Sequence, residues 1–88
     1  MFDINISNLA TKFYLSANSK LVTKINTAFD EIRINPFYGK NIKKLRGGLE
    51  GLYRYRIGNI RIVYSIEETI KIVAVAWIGN RKDAYRRD

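Results

Sequence analysis

LYRYRIGNIRIVYSI, residues 52–66, alternates bulky apolar and polar side chains on either side of a Gly58-Asn59 pair. A period of two over runs rich in Ile, Val and Tyr is the mark of strands with one buried face. Gly58 in first place suits a two-residue hairpin turn. Such a turn pairs Ile57 with Ile60, Arg56 with Arg61, Tyr55 with Ile62 and Tyr53 with Tyr64. Since side chains alternate across a strand, one face then carries those six apolar residues and reads as core. The other face carries Arg54, Arg56 and Arg61. Like charges set opposite one another destabilise a sheet, so three arginines on one small face argue for an anion among them. Guanidinium forks match phosphate oxygens and stay charged, which makes phosphate the natural guest. The plain alternative is a solvated outer face with splayed arginines.

Toward the C-terminus, Glu67-Glu68-Thr69 is read as a turn and Ile70–Ile78 as a third strand. If that turn is even in length, Val73, Val75 and Trp77 join the core face, while Ala74 and Ala76 leave a shallow trough beside the arginines; an odd turn reverses the faces. The tail supplies Arg81, Lys82, Tyr85, Arg86 and Arg87 and is expected to include a helical turn. Tyr85 can stack on a base or handle a proton, or it can simply anchor that turn. Toward the N-terminus, residues 36–51 form a Gly-rich loop with a short strand near 42–45. Ahead of it lie two amphipathic helices. Ser7 caps the first, with Leu9, Ala10, Phe13 and Ala17 on one stripe. Ser19 is expected to cap the second, which places Leu21, Ile25, Ala28, Phe29 and Ile32 inward and stops at Asn35-Pro36. Phe2, Ile4 and Ile6 alternate as a first strand. Together these make one α+β domain over residues 1–88: an N-terminal strand, a two-helix hairpin, then an antiparallel sheet of three or more strands.

Composition narrows the chemistry. The 88 residues contain no Cys and no His, which removes disulfides, thiolate nucleophiles, histidine bases and most transition-metal sites. No metal or cofactor is expected. No apolar run approaches the ~20 residues that span a bilayer, and no signal peptide precedes Ser7, so a cytoplasmic protein with no membrane partner is expected. Charge is uneven. Residues 1–39 hold four Lys/Arg against three Asp/Glu, and residues 40–88 hold twelve against five. A cationic C-terminal half suits a polyanion partner, nucleic acid first.

The order of elements, with "KKLRG" at 43–47, "YRYRIGNIRIVYSI" at 53–66 and "WIGNRKDAYRR" at 77–87, resembles the RelE/ParE toxin superfamily over nearly the whole chain. That resemblance implies a RelE-like fold and a type II toxin, neutralised by a RelB-like acidic or amphipathic antitoxin and reaching operator DNA only through the antitoxin complex. In RelE-type members the toxin cleaves mRNA in the ribosomal A site without a metal. The RNA 2′-hydroxyl attacks, giving a 2′,3′-cyclic phosphate and a free 5′-hydroxyl. By motif, Arg61 and Arg81 fall on phosphate-binding arginines and Tyr85 on the C-terminal tyrosine. Arg54 and Arg56 fall where the best-known members carry Lys. Lys43, Lys44, Arg46, Lys82, Arg86 and Arg87 complete the nucleic-acid contacts. Asn80 stands where many relatives have His, so either Tyr85 takes the base role or charge stabilisation does most of the work. A gyrase-inhibiting ParE-type toxin without RNA chemistry, and a relative that binds only its antitoxin, are the alternatives.

Overall fold

The computed structural model describes residues 1–84. The elements follow in the order β1 (Asp3–Ile6), α1 (Asn8–Ser16), α2 (Ser19–Ile34), β2 (Ile42–Lys44), β3 (Leu52–Ile57), β4 (Ile60–Glu67), β5 (Ile72–Asn80) and a 3₁₀ turn, Arg81–Asp83. One five-stranded sheet has the order β1-β5-β4-β3-β2. Its four C-terminal strands pair antiparallel, and β1 adds a parallel edge on β5. Both helices lie on one face. The core between them contains Phe2, Ala10, Ile25, Ala28, Phe29 and Ile32, packed on Tyr55, Ile62, Tyr64, Val73, Val75 and Ile78 of the sheet.

The β3–β4 hairpin has the register read from sequence, from Ile57 opposite Ile60 to Tyr53 opposite Tyr64. Gly58 sits at φ +53, where a hypothetical Cβ would meet nothing within 4 Å. Glycine is needed there for its backbone and not for space.

Several expectations are corrected. The second helix is capped by Asn18, whose side chain accepts from Leu21 N–H, and Ser19 is its first residue. Leu9 is 58% exposed and is no part of the buried stripe of α1. The β4–β5 turn spans residues 68–71, with Lys71 at φ 56, so Ile70 lies in the turn and not in a strand. Its even length puts Val73 and Val75 in the core as expected. The register then shifts between Val63 and Tyr64, leaving Ala76 as an extra residue on β5. This β-bulge turns the following side chains over. Trp77 therefore pairs with Val63 on the arginine face, and Ile78 takes the core position opposite Ile62.

Ser7 fixes that bulge. Its hydroxyl oxygen accepts from Ala10 N–H (3.1 Å) as the cap of α1, and the same hydroxyl donates to the Ala76 carbonyl (2.8 Å). Ser7→Ala loses both bonds. It is expected to lower the unfolding free energy by about 1–2 kcal/mol, read from the midpoint of urea unfolding.

Two core tyrosines bond their hydroxyls to partners outside the sheet, Tyr64 in the interior and Tyr55 near the edge. Tyr64 donates to the Pro36 carbonyl (2.7 Å), and Tyr55 donates to Glu31 Oε1 (2.8 Å). Burial pushes both hydroxyls above the usual 10.0, with the Glu31 hydrogen bond adding to the effect on Tyr55. Both are neutral in the fold and ionise more readily once unfolded. Stability is therefore fully present below pH 10.0 and is lost as pH rises above it. The urea midpoint is expected to fall steeply above that pH, and less steeply in Tyr64→Phe.

Candidate nucleic-acid interface

Among the described residues, no helix lies on the second face of the sheet. Two like-charge pairs cross it: Lys43 stands opposite Arg54, and Arg56 opposite Arg61. Each such pair costs stability. Where β2, β3 and β4 meet the chain after β5, an open depression of about 780 Å³ is lined by Lys43, Lys44, Leu45, Arg46, Arg54, Arg61 and Arg81. Six of the seven are cations and none is a carboxylate. Gathered in one concave place, such a set attracts an anion more strongly than the same charges spread over a surface.

Two of the cations, Arg54 and Arg61, are held by backbone carbonyls. Arg54 Nη1 donates to the Asn41 carbonyl (2.8 Å). Arg61 Nη1 donates to the carbonyls of Gly58 (2.7 Å) and Ile60 (3.1 Å), so the hairpin turn orients its own arginine. Arg81 N–H donates to the Asn59 carbonyl (2.6 Å), which ties the 3₁₀ turn to the same hairpin. Residues 20 positions apart in sequence are thereby brought to one place by the Gly58-Asn59 turn.

Of the residues expected from sequence, the structure brings together Lys43, Lys44, Arg46, Arg54, Arg61 and Arg81. Lys44 and Arg46 sit at the rim, since both also border a second hollow of about 450 Å³ that includes Glu50 and Glu68. Arg56 does not join them. Asn41, the residue before β2, flanks Arg56 on its outer side, and the Asn41 carbonyl accepts the Arg56 backbone N–H (2.9 Å). Arg56 lines a separate hollow of about 320 Å³ against Thr23, Lys24 and Thr27 of α2. Lys82 lies beyond Arg81, in a hollow shared with Asn59 and Asn80. Tyr85, Arg86 and Arg87 lie outside the described residues. The reading from sequence missed Trp77, which the bulge places on this face; no local signal in Val75-Ala76-Trp77 announces the extra residue.

A family model described as the ParE toxin of type II toxin–antitoxin systems, parDE, matches residues 5–85. The chain belongs to that family. It is thus a toxin of a type II toxin–antitoxin system, on the α+β scaffold of the RelE/ParE superfamily. No curated protein sequence matches it. Solved structures share the fold of this ParE-family toxin. The archaeal RelE–RelB complex from Pyrococcus horikoshii OT3 aligns at TM-score 0.79 and 23% identity, over 94% of this chain and 98% of that one. The intact RelBE complex from E. coli aligns at TM-score 0.79 and 21% identity, over 91% and 96%. The YoeB–YefM complex from Staphylococcus aureus aligns at TM-score 0.74 and 27% identity, over 89% and 94%. No helix among the described residues is long and apolar enough to cross a membrane.

Proposed function

We propose that this toxin is a ribosome-dependent mRNA endoribonuclease that stops translation in the cytoplasm. The observation that carries the reading is the carboxylate-free depression lined by six cations. Attack of an RNA 2′-hydroxyl on the adjacent phosphorus breaks the bond to the next 5′-oxygen. It leaves a 2′,3′-cyclic phosphate and a 5′-hydroxyl. The transition state gathers negative charge on the non-bridging oxygens, and fixed cations stabilise that charge more than they stabilise the substrate. Arg61 and Arg81 are suited to that role, with Arg54 beside them and Lys43, Lys44 and Arg46 steering the strand. Arg56 and Lys82, set apart from the depression, contact flanking phosphates, as do Arg86 and Arg87. Among the described residues the depression offers no imidazole or carboxylate to take the 2′-proton. Tyr85 fills that place in this reading.

The antitoxins named in the RelB and YefM complexes suggest the partner. An acidic or amphipathic segment of that kind would cover the cationic face, and operator DNA would be reached only through the complex.

Mapping mRNA 5′ ends after a pulse of expression tests the reading. Codon-positioned cuts in translated frames are expected. The family model's ParE description favours one other reading, a gyrase inhibitor. In that case the mRNA stays intact and supercoiling by gyrase fails instead.

A further inference from the structure

We propose that Trp77 is a stacking platform for a nucleobase of the RNA whose phosphate the depression holds. The inference rests on the proposed function and names a contact that positions the strand. The bulge at Ala76 puts the largest side chain of β5 on the open face instead of in the core. There Trp77 heads a row of cross-strand partners: Trp77 opposite Val63, Val63 opposite Arg54, Arg54 opposite Lys43. The indole leans along its own strand onto Gly79. A Cβ on Gly79 would come within 2.5 Å of the six-membered ring, so the ring lies directly on backbone that carries no side chain. Gly79 is buried beneath it, while Trp77 itself stays only half-buried. The indole packs against Gly79 and keeps part of its surface open on this side of the sheet.

The residue opposite Gly79 is Arg61. The indole therefore packs on the strand next to the one that carries Arg61, one strand spacing, roughly 5 Å, from its backbone. A flat aromatic surface beside a cationic groove is the arrangement by which single strands are held: the backbone follows the charge and bases stack on the ring, whatever their identity. A purely structural role, shielding Val63 and Gly79 from water, needs apolar bulk but no aromatic face. This difference makes the two roles separable.

Trp77 is the single tryptophan of the chain, so its emission reports on this position alone. The probe is a single-stranded hexanucleotide with 2′-O-methyl riboses, which cannot supply the attacking hydroxyl. Its abasic counterpart carries the same phosphates without bases. Binding of the base-bearing oligomer is expected to quench the emission by more than half, and the abasic oligomer is expected to bind without that quenching. Trp77→Leu keeps apolar cover over Gly79. It is expected to weaken the base-bearing oligomer about 10-fold or more, to leave the abasic one unchanged, and to melt within a few degrees of the parent. Trp77→Phe is expected to retain most of the affinity. If both oligomers bind the parent and Trp77→Leu alike, with no quenching, the platform is overturned and the phosphate site stands. If neither oligomer binds the parent, the nucleic-acid reading of the site falls, and the platform with it.

Discussion

Arg61→Ala is expected to lower the rate of mRNA cleavage on programmed ribosomes by about 10²–10³-fold, measured in single turnover. Arg61 is the cation whose geometry is most completely set by the fold: it stands on the central strands, and the carbonyls of Gly58 and Ile60 fix its Nη1. A donor held in place before the reaction contributes most where charge develops, and removing one such donor costs about 10²–10³ in rate. Arg61→Lys keeps the charge and loses the fork, so it is expected to recover only part of the rate. The fold should tolerate both changes. The Gly58 carbonyl bond is exposed and the Ile60 bond only part-buried, so water can take the place of the lost donor. Unfolding free energies within about 1 kcal/mol of the parent are expected. Full cleavage by Arg61→Ala would remove this arginine from the chemistry. Loss of activity together with loss of fold would leave Arg61→Lys, read at matched stability, to decide the point.

How much of this was legible in the sequence depended on where each conformation is decided. The Gly58-Asn59 hairpin could be read to the residue, because its turn type, its alternation and its register are all local. Other features are set from a distance. The bulge that carries Trp77 to the open face is held by Ser7, which donates to Ala76 from the far end of the chain, and nothing near Trp77 encodes that bond. The β4–β5 turn was misplaced by two residues because Lys71 takes φ 56, a conformation that glycine or asparagine would have flagged. Asn18 and Ser19 are both good caps, and only packing chooses between them. The cationic cluster was legible as a face. Its membership was not, since Arg56 lines a separate hollow against α2 while Arg54 and Arg61 border the depression.

Tyr64→Ala is expected to remove about 3–5 kcal/mol of stability, a large share of the roughly 5–15 kcal/mol that a small domain possesses. Tyr64 is fully buried on the central strand, and its ring stacks on Tyr53 with centroids 5.8 Å apart. The stack continues edge-on through Phe37 to Phe2, so the cavity would open at the junction of sheet, loop and first strand. Tyr64→Phe isolates the hydroxyl. It keeps the ring and leaves the Pro36 carbonyl without its donor, a loss of about 1–3 kcal/mol. At about 4–8 °C per kcal/mol, the phenylalanine variant should melt roughly 5–20 °C below the parent. The consequence reaches the site. Pro36 opens the loop leading to β2, and β2 presents Lys43 and Lys44 to the depression. Amide exchange in Ile42–Lys44 is therefore expected to accelerate in Tyr64→Phe while the β4–β5 ladder stays protected. Uniform acceleration across the sheet would show instead that the hydroxyl stabilises the whole domain and does not specifically hold the cationic edge in place.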